Sequence, residues 1–366
     1  MIKEPIRVNT RIGIALTGTQ LSGWDEQEGG FVGEQNERRV VTLKDVAAAS
    51  GVSISTVSRI LDDRTPPSRS KTAERVRHVA DDLGYRRNMF ASGLRRGATG
   101  TIGVLVPRLT DHVMALMFEA IERAARSRGS FAIVATCGDD PAEEQRATET
   151  LLDRNVDGLI LATARLDDTL PASLRERGVA HSLVLRTDGA SPSALGDDEA
   201  GGYFAARHLI DLGHREIAVV TGPWFTSSAR SRLAGARRAF EEAGIALPEE
   251  RVVSTGYGIE SGSAAGQSLL AATTRPTAIF AANDNLAIGV VAAASAAGLT
   301  VGRDVSVVGY NDIPLAAMLP VPLTSVRTAF DQIAASALDL LGGTDGAVTR
   351  ALPTLIPRAS TAALGR

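Results

Sequence analysis

A chain of 366 residues, 44% hydrophobic and 22% charged, has the composition of a soluble globular protein with room for two or three domains. Its single cysteine, Cys137, excludes an intrachain disulfide and fits a reducing compartment, while no apolar run approaches the roughly 20 residues that a membrane helix needs. The net charge of −3 hides an asymmetry: residues 38–99 carry 13 Lys or Arg against 6 Asp or Glu, net +7, and residues 100–366 carry 23 against 30, net −7. Basic charge gathered in one short segment is the electrostatic footprint of a polyanion-binding module.

Residues 1–40 are expected to be a disordered extension. "SGWDEQEGGFVGEQNE" is polar, Gly-rich and unpatterned. The short apolar patch near the start is broken by Gly13 and Gly18, which argues against a signal peptide. Residues 42–85 then read as three short helices. Thr42 is placed to cap the first, with Asp45 as its capping-box partner, and Ser53 to cap the second. Gly51 supplies the turn between them. Val46, Ala47, Val52, Val57, Ile60, Val76, Val79 and Leu83 fall at helical spacing as a small core. A short helix, a Gly turn and a second polar helix form a helix-turn-helix. The second helix would present Ser53, Ile54, Ser55, Ser58 and Arg59 outward, a small and polar face suited to the major groove, with Arg59 able to grip guanine with two hydrogen bonds.

From Thr101 the pattern changes to short apolar strands alternating with amphipathic helices, first "TIGVLVP", "SFAIVAT", "VDGLILAT" and "HSLVLR". The rhythm restarts after residue 196 with "EIAVVTG", "RVVST", "TAIFAAND" and "DVSVVGYND". Two successive β-α-β sets imply two lobes of the α/β class with parallel, doubly wound sheets, and ligands of such sheets bind past the carboxyl ends of the strands. The expected division is a helix-turn-helix domain at 41–87, a linking segment at 88–99 and a two-lobe body at 100–366. Lobe one spans about 100–195 and lobe two about 196–308, and the chain crosses again after 309.

"VTLKDVAAASGVSISTVSRIL" resembles the DNA-binding headpiece of the LacI/GalR (lac-repressor) family of bacterial transcription regulators. The likeness runs from about Val41 to Thr361, through "GLRRGATGTIGVLVP", "DLGHREIAVVTGP", "PTAIFAANDNLAIG", "DVSVVGYND" and "PLTSV" in family order. The resemblance implies a periplasmic-binding-protein-like effector body. It implies a dimer or a tetramer on a pseudo-palindromic double-stranded operator and a small effector, often a sugar, held between the lobes. It places Ile54, Ser55 and Arg59 at base-reading positions and Thr42, Thr56 and Ser58 at phosphate-contacting ones. It makes 88–99 a hinge helix in which Leu94 wedges into the minor groove beside Asn88 and Ala91; by their charge, Arg95 and Arg96 can neutralise phosphates there. In the body it places effector contacts on Asp111, Val113, Met114 and Met117 from lobe one, and on Arg232, Tyr257, Asn283 and Asn311 from lobe two. Trp224, just after "VVTGP", is a further candidate for the mouth of the cleft. These side chains suit a polyhydroxylated ligand: a guanidinium fork, two amides that both donate and accept, and a flat ring. The chain departs from the family pattern at Arg87, Asp62 and Asn311, where proline, asparagine and aspartate are usual.

Enzymatic signatures are missing. No P-loop, dinucleotide-binding or nucleophile-elbow motif occurs, and no lysine follows Lys71. His78, His112, His181, His208 and His214 show no metal-ligand spacing, and Asp167 and Asp168 read as loop surface. The sequence therefore points to a cytoplasmic, dimeric, ligand-responsive transcription regulator, a repressor, with no cofactor, metal or membrane partner. The alternative is a sugar-binding protein or sugar-modifying enzyme on the same two-lobe fold.

Overall fold

The computed structural model describes residues 41–62, 68–86, 98–343 and 346–365. The hinge positions Asn88, Ala91, Leu94 and Arg95, and the departure at Arg87, lie outside them. The chain divides into two compact units, residues 1–87 and 88–366.

In the first unit, helix α1 (Leu43–Ser50) starts at Thr42, whose backbone N–H and hydroxyl both donate to the Asp45 carboxylate, at 2.8 and 2.7 Å. The chain leaves α1 through Gly51 at φ 67°, a left-handed conformation that glycine adopts without a Cβ clash. Helix α2 (Ile54–Ile60) is capped by Ser53, whose Oγ accepts from the Thr56 N–H at 3.2 Å. Ser70 caps α3 (Lys71–Asp82) in the same way. Val46, Ala47, Val57, Val76 and Ala80 are buried together, with Val52, Ile60, Val79 and Tyr85 packed around them. Leu83, expected in this core, is instead 40% exposed. Helix α3 has ended by that point. Gly84 turns the chain at φ 66°, and the Tyr85 N–H bonds the Ala80 carbonyl at 2.8 Å, so Tyr85 packs where leucine was expected.

The second unit contains two six-stranded sheets. The first is ordered β11-β5-β4-β3-β1-β2, from β1 (Thr101–Val106), β2 (Phe131–Thr136), β3 (Gly158–Leu161), β4 (His181–Val184), β5 (Ser193–Gly196) and β11 (Val348–Ala351), all parallel. The second is ordered β12-β10-β9-β8-β6-β7, from β6 (Ile217–Thr221), β7 (Val252–Ser254), β8 (Ala278–Ala281), β9 (Ser306–Asn311), β10 (Thr324–Arg327) and β12 (Thr354–Ile356). Only the β10–β12 pair is antiparallel. The connecting helices are α4 (His112–Ser127), α5 (Pro141–Asp153), α6 (Leu170–Glu176), α7 (Asp198–Asp211), α8 (Ser227–Glu242), α9 (Ile259–Leu270), α10 (Asp284–Ala296) and α11 (Phe330–Leu340).

Three passages link the lobes. The chain leaves lobe one after β5, returns after β10 so that α11 packs on α4, and crosses once more between β11 and β12. The strands are near-continuous apolar runs because both faces of each sheet are covered; all of β3, β4 and β8 is buried.

Candidate effector cleft and DNA-facing helix

The loops that follow the carboxyl ends of the strands meet between the lobes, where open parallel sheets place their ligands. Asp111, Val113 and Met114 from lobe one line a cavity of about 30 Å³ with Arg232, Tyr257, Asn283 and Asn311 from lobe two. Two of the nine residues predicted here are elsewhere. Met117 is fully buried in the core, one turn along α4. Trp224 is 45% exposed and does not line the cavity. The cavity also takes in Leu185, Arg186 and Ser228, which the sequence reading missed. Its one available signal was an arginine closing the apolar strand "HSLVLR".

Arg232, on α8, is only 5% exposed. Its Nε donates to Asp198 at 2.7 Å, Nη1 donates to the Ala282 carbonyl, and the Tyr310 ring lies 3.7 Å beneath its guanidinium carbon. Burial opposes the charge, but the Asp198 carboxylate beside it more than offsets this and holds the guanidinium protonated. Tyr257 is fixed by its hydroxyl, which shares hydrogen bonds with Thr226 at 2.9 Å and Ser228 at 3.2 Å.

The two amides are partly occupied. Asn283 caps α10, with Oδ1 accepting from the Leu286 N–H at 2.8 Å and Nδ2 donating to the Tyr257 carbonyl at 3.2 Å. Asn311 ends β9 at φ 99° and donates to the Thr328 hydroxyl at 3.0 Å. Asp111 caps α4 through the Val113 N–H at 3.0 Å and accepts from Asn285 across the cleft at 3.2 Å; burial pushes its carboxyl above the usual range. Leu185 is another left-handed non-glycine, at φ 63°. Such a backbone costs about 1–2 kcal/mol, and strain of this kind gathers where side chains must be aimed. Here it turns the chain out of β4 so that Leu185 and Arg186 both reach the cavity.

The remaining polar candidates are structural. His214 is buried and bonds Thr277, Ser306 and the Ala362 carbonyl. Asp167 is exposed and pairs with Arg165, whereas Asp168 is half-buried and accepts from the Leu170 N–H at the start of α6. Among the described residues no group of three His, Cys, Asp or Glu side chains could hold a metal ion.

In the first unit, Val57 points into the core while Ser53, Ile54, Ser55 and Arg59 are exposed, with Ile54 at 45%. Thr56 and Ser58 are half-buried at the flanks of α2, and Thr42 is exposed at the start of α1. The Ser53 hydroxyl also bonds those of Ser55 and Thr56, at 2.9 and 2.8 Å, which braces the first turn of α2. The face is narrow, small and polar, with one long cation.

Residues 42–88 match the family model described as "Bacterial regulatory proteins, lacI family", and residues 206–361 match "Periplasmic binding protein-like domain". The ribose operon repressor of Escherichia coli (strain K12) is 32% identical over 305 residues, covering 82% of this chain and 92% of the relative. The lac repressor dimer bound to operator and the anti-inducer ONPF superposes with a TM-score of 0.78 at 28% identity, covering 88% of this chain and 99% of that one. The transcriptional regulator CelR in complex with cellobiose superposes at 0.66 with 30% identity, covering 87% and 99%. With a helix-turn-helix and a two-lobe α/β body in one chain, and relatives matched along most of their length, the chain belongs to the lacI family of bacterial regulatory proteins, DNA-binding transcription regulators rather than enzymes.

Proposed function

We propose that this regulator is a cytoplasmic repressor. It binds a pseudo-palindromic operator as a homodimer, and a small polyhydroxylated molecule held between its lobes changes that affinity. One observation carries the reading: side chains from both lobes line the same cavity past the strand ends, so a ligand touching both has a stake in the angle between them. The names of the similar proteins agree with it, being a ribose operon repressor, an operator-bound lac repressor dimer and a cellobiose complex. Ile54, Ser55 and Arg59 read base edges, with Ser53 at the helix start, and Thr42, Thr56 and Ser58 contact phosphates. Residues 88–99 act as the hinge: Leu94 wedges into the central minor-groove step, Asn88 and Ala91 line it, and Arg95 meets phosphate. The cavity is small as it stands, so the lobes separate to admit a sugar.

Selection from a random duplex library at about 0.15 M salt tests the reading. The expected product is a pseudo-palindrome with a flexible pyrimidine–purine step at its centre. Failure to enrich any sequence, with or without a panel of sugars, would sink it.

A further inference from the structure

Two arginines reach the cleft, and they are differently employed. Arg232 is bound on every side by Asp198, the Ala282 carbonyl and the Tyr310 ring. Arg186 is almost as deeply buried, 6% exposed, and lines the same cavity. Yet among the described residues it has neither a hydrogen bond nor an ion pair. The Tyr257 ring lies beside it, with its centre 5.3 Å from the guanidinium carbon. Asp111 and Glu144 feel its charge, but neither closes to an ion pair. Each already has partners: Asp111 holds the Val113 N–H and Asn285, and Glu144 holds the Thr163 hydroxyl.

A guanidinium taken out of water with its five N–H donors unused is costly, and buried charges are ordinarily paired. The chain also accepts a left-handed leucine immediately before it, which aims Arg186 into the cavity rather than towards solvent. We infer that the effector is an anion, a polyol bearing a carboxylate or a phosphate, and that Arg186 clamps this group with the two-pronged geometry that planar guanidinium gives. This rests on the cleft being the effector site and adds the chemical class of the ligand. Asp111, Asn283 and Asn311 remain to take hydroxyls.

Full-length protein should be titrated by calorimetry and thermal unfolding with matched probes: D-glucose and D-ribose, D-gluconate and D-glucuronate, glucose 6-phosphate and ribose 5-phosphate, and inorganic phosphate alone. At least one acid or phosphate ester is expected to bind while its neutral counterpart does not, and the two anionic arms separate carboxylate from phosphate. Arg186→Gln should weaken that binding by about 10- to 100-fold, and Arg186→Lys by less. Neutral sugars binding as tightly as their acids, an Arg186→Gln protein that keeps the preference, or no binding by any anion would each overturn the inference. Should the Gln variant fail to fold, the wild-type panel decides alone. Operator selection with the same preparation keeps the two readings apart. An operator released by a neutral sugar leaves the regulator intact and removes only the anion, whereas anion binding without an operator does the reverse.

Discussion

Replacing Arg232 with alanine would leave Asp198 buried beneath α8 without its counter-ion. Breaking a buried pair from one side costs about 3–5 kcal/mol, far more than the net worth of the pair itself. Urea denaturation of Arg232→Ala should show that loss, and Arg232→Met combined with Asp198→Asn should recover much of it. Asp284 gives a pH signature. Burial, opposed by hydrogen bonds from the Ser325 hydroxyl and the Ile313 N–H, raises its carboxyl from 3.8 to about 7. The native state therefore holds this proton more tightly than the unfolded chain. The contribution is complete below the unfolded value and is lost as pH rises through about 7. Asp284→Asn should start less stable, having one acceptor oxygen for two donors, and should give a flatter stability profile between about pH 5 and 8. The difference between the two profiles isolates Asp284 from His208 and His214, which burial shifts the opposite way. Cys137 is buried, and its thiol is pushed up to about 12, so iodoacetamide at about pH 8 should label it in urea and leave it untouched in the native protein. Capping by Asn283 is legible in the sequence, since a helix start needs an acceptor there. That its other amide end would hold the Tyr257 carbonyl is not, because only the packed loops set that pairing.

Helices α7 and α8 carry Asp198 and Arg232 respectively, so their closeness fixes the site from behind. A Cβ on Gly235 would sit 1.8 Å from the Glu199 carbonyl oxygen, and one on Gly202 would sit 1.9 Å from the Arg232 carbonyl oxygen. Gly235→Ala must push the two helices apart, and overpacking of this kind typically costs about 1–3 kcal/mol. A lowered denaturation midpoint with weakened effector binding is the expected result; an unchanged midpoint would show that the helices have slack. Periodicity in the sequence marks α7 and α8 as helices, but two glycines far apart in the chain do not announce that they face each other. The same limit explains β11 and β12, which have four and three residues and no buried position. Without an apolar pattern, only their pairing with β5 and β10 makes them strands. Central strands such as β3 and β8 were legible because burial on both faces demands unbroken apolar runs.

Across the whole molecule, two units fold around separate cores of unequal size. Among the described residues the smaller core is a cluster of five buried apolar side chains, whereas the larger unit has extended clusters spanning both sheets. The two-lobe architecture could be read from the sequence because the β-α rhythm restarts after residue 196; beyond the one further crossing expected after 309, the last return between β11 and β12 could not, since α11, β11 and β12 alternate lobes without any change of pattern. Those crossings matter energetically. With three chain segments joining them, the lobes stay tethered, and a ligand bound in the proposed cleft would stabilise both as one body. Scanning calorimetry should therefore show two transitions, the smaller belonging to the helix-turn-helix, whose little core leaves it marginal. An effector at about 100 times its Kd should raise the stability of the larger unit by about 2.7 kcal/mol and leave the smaller transition where it was. Operator DNA should move the smaller one instead. If effector alone shifts both transitions together, the units unfold cooperatively, and the proposed coupling between cleft and DNA would run through a folded connection rather than through the geometry of the proposed dimer.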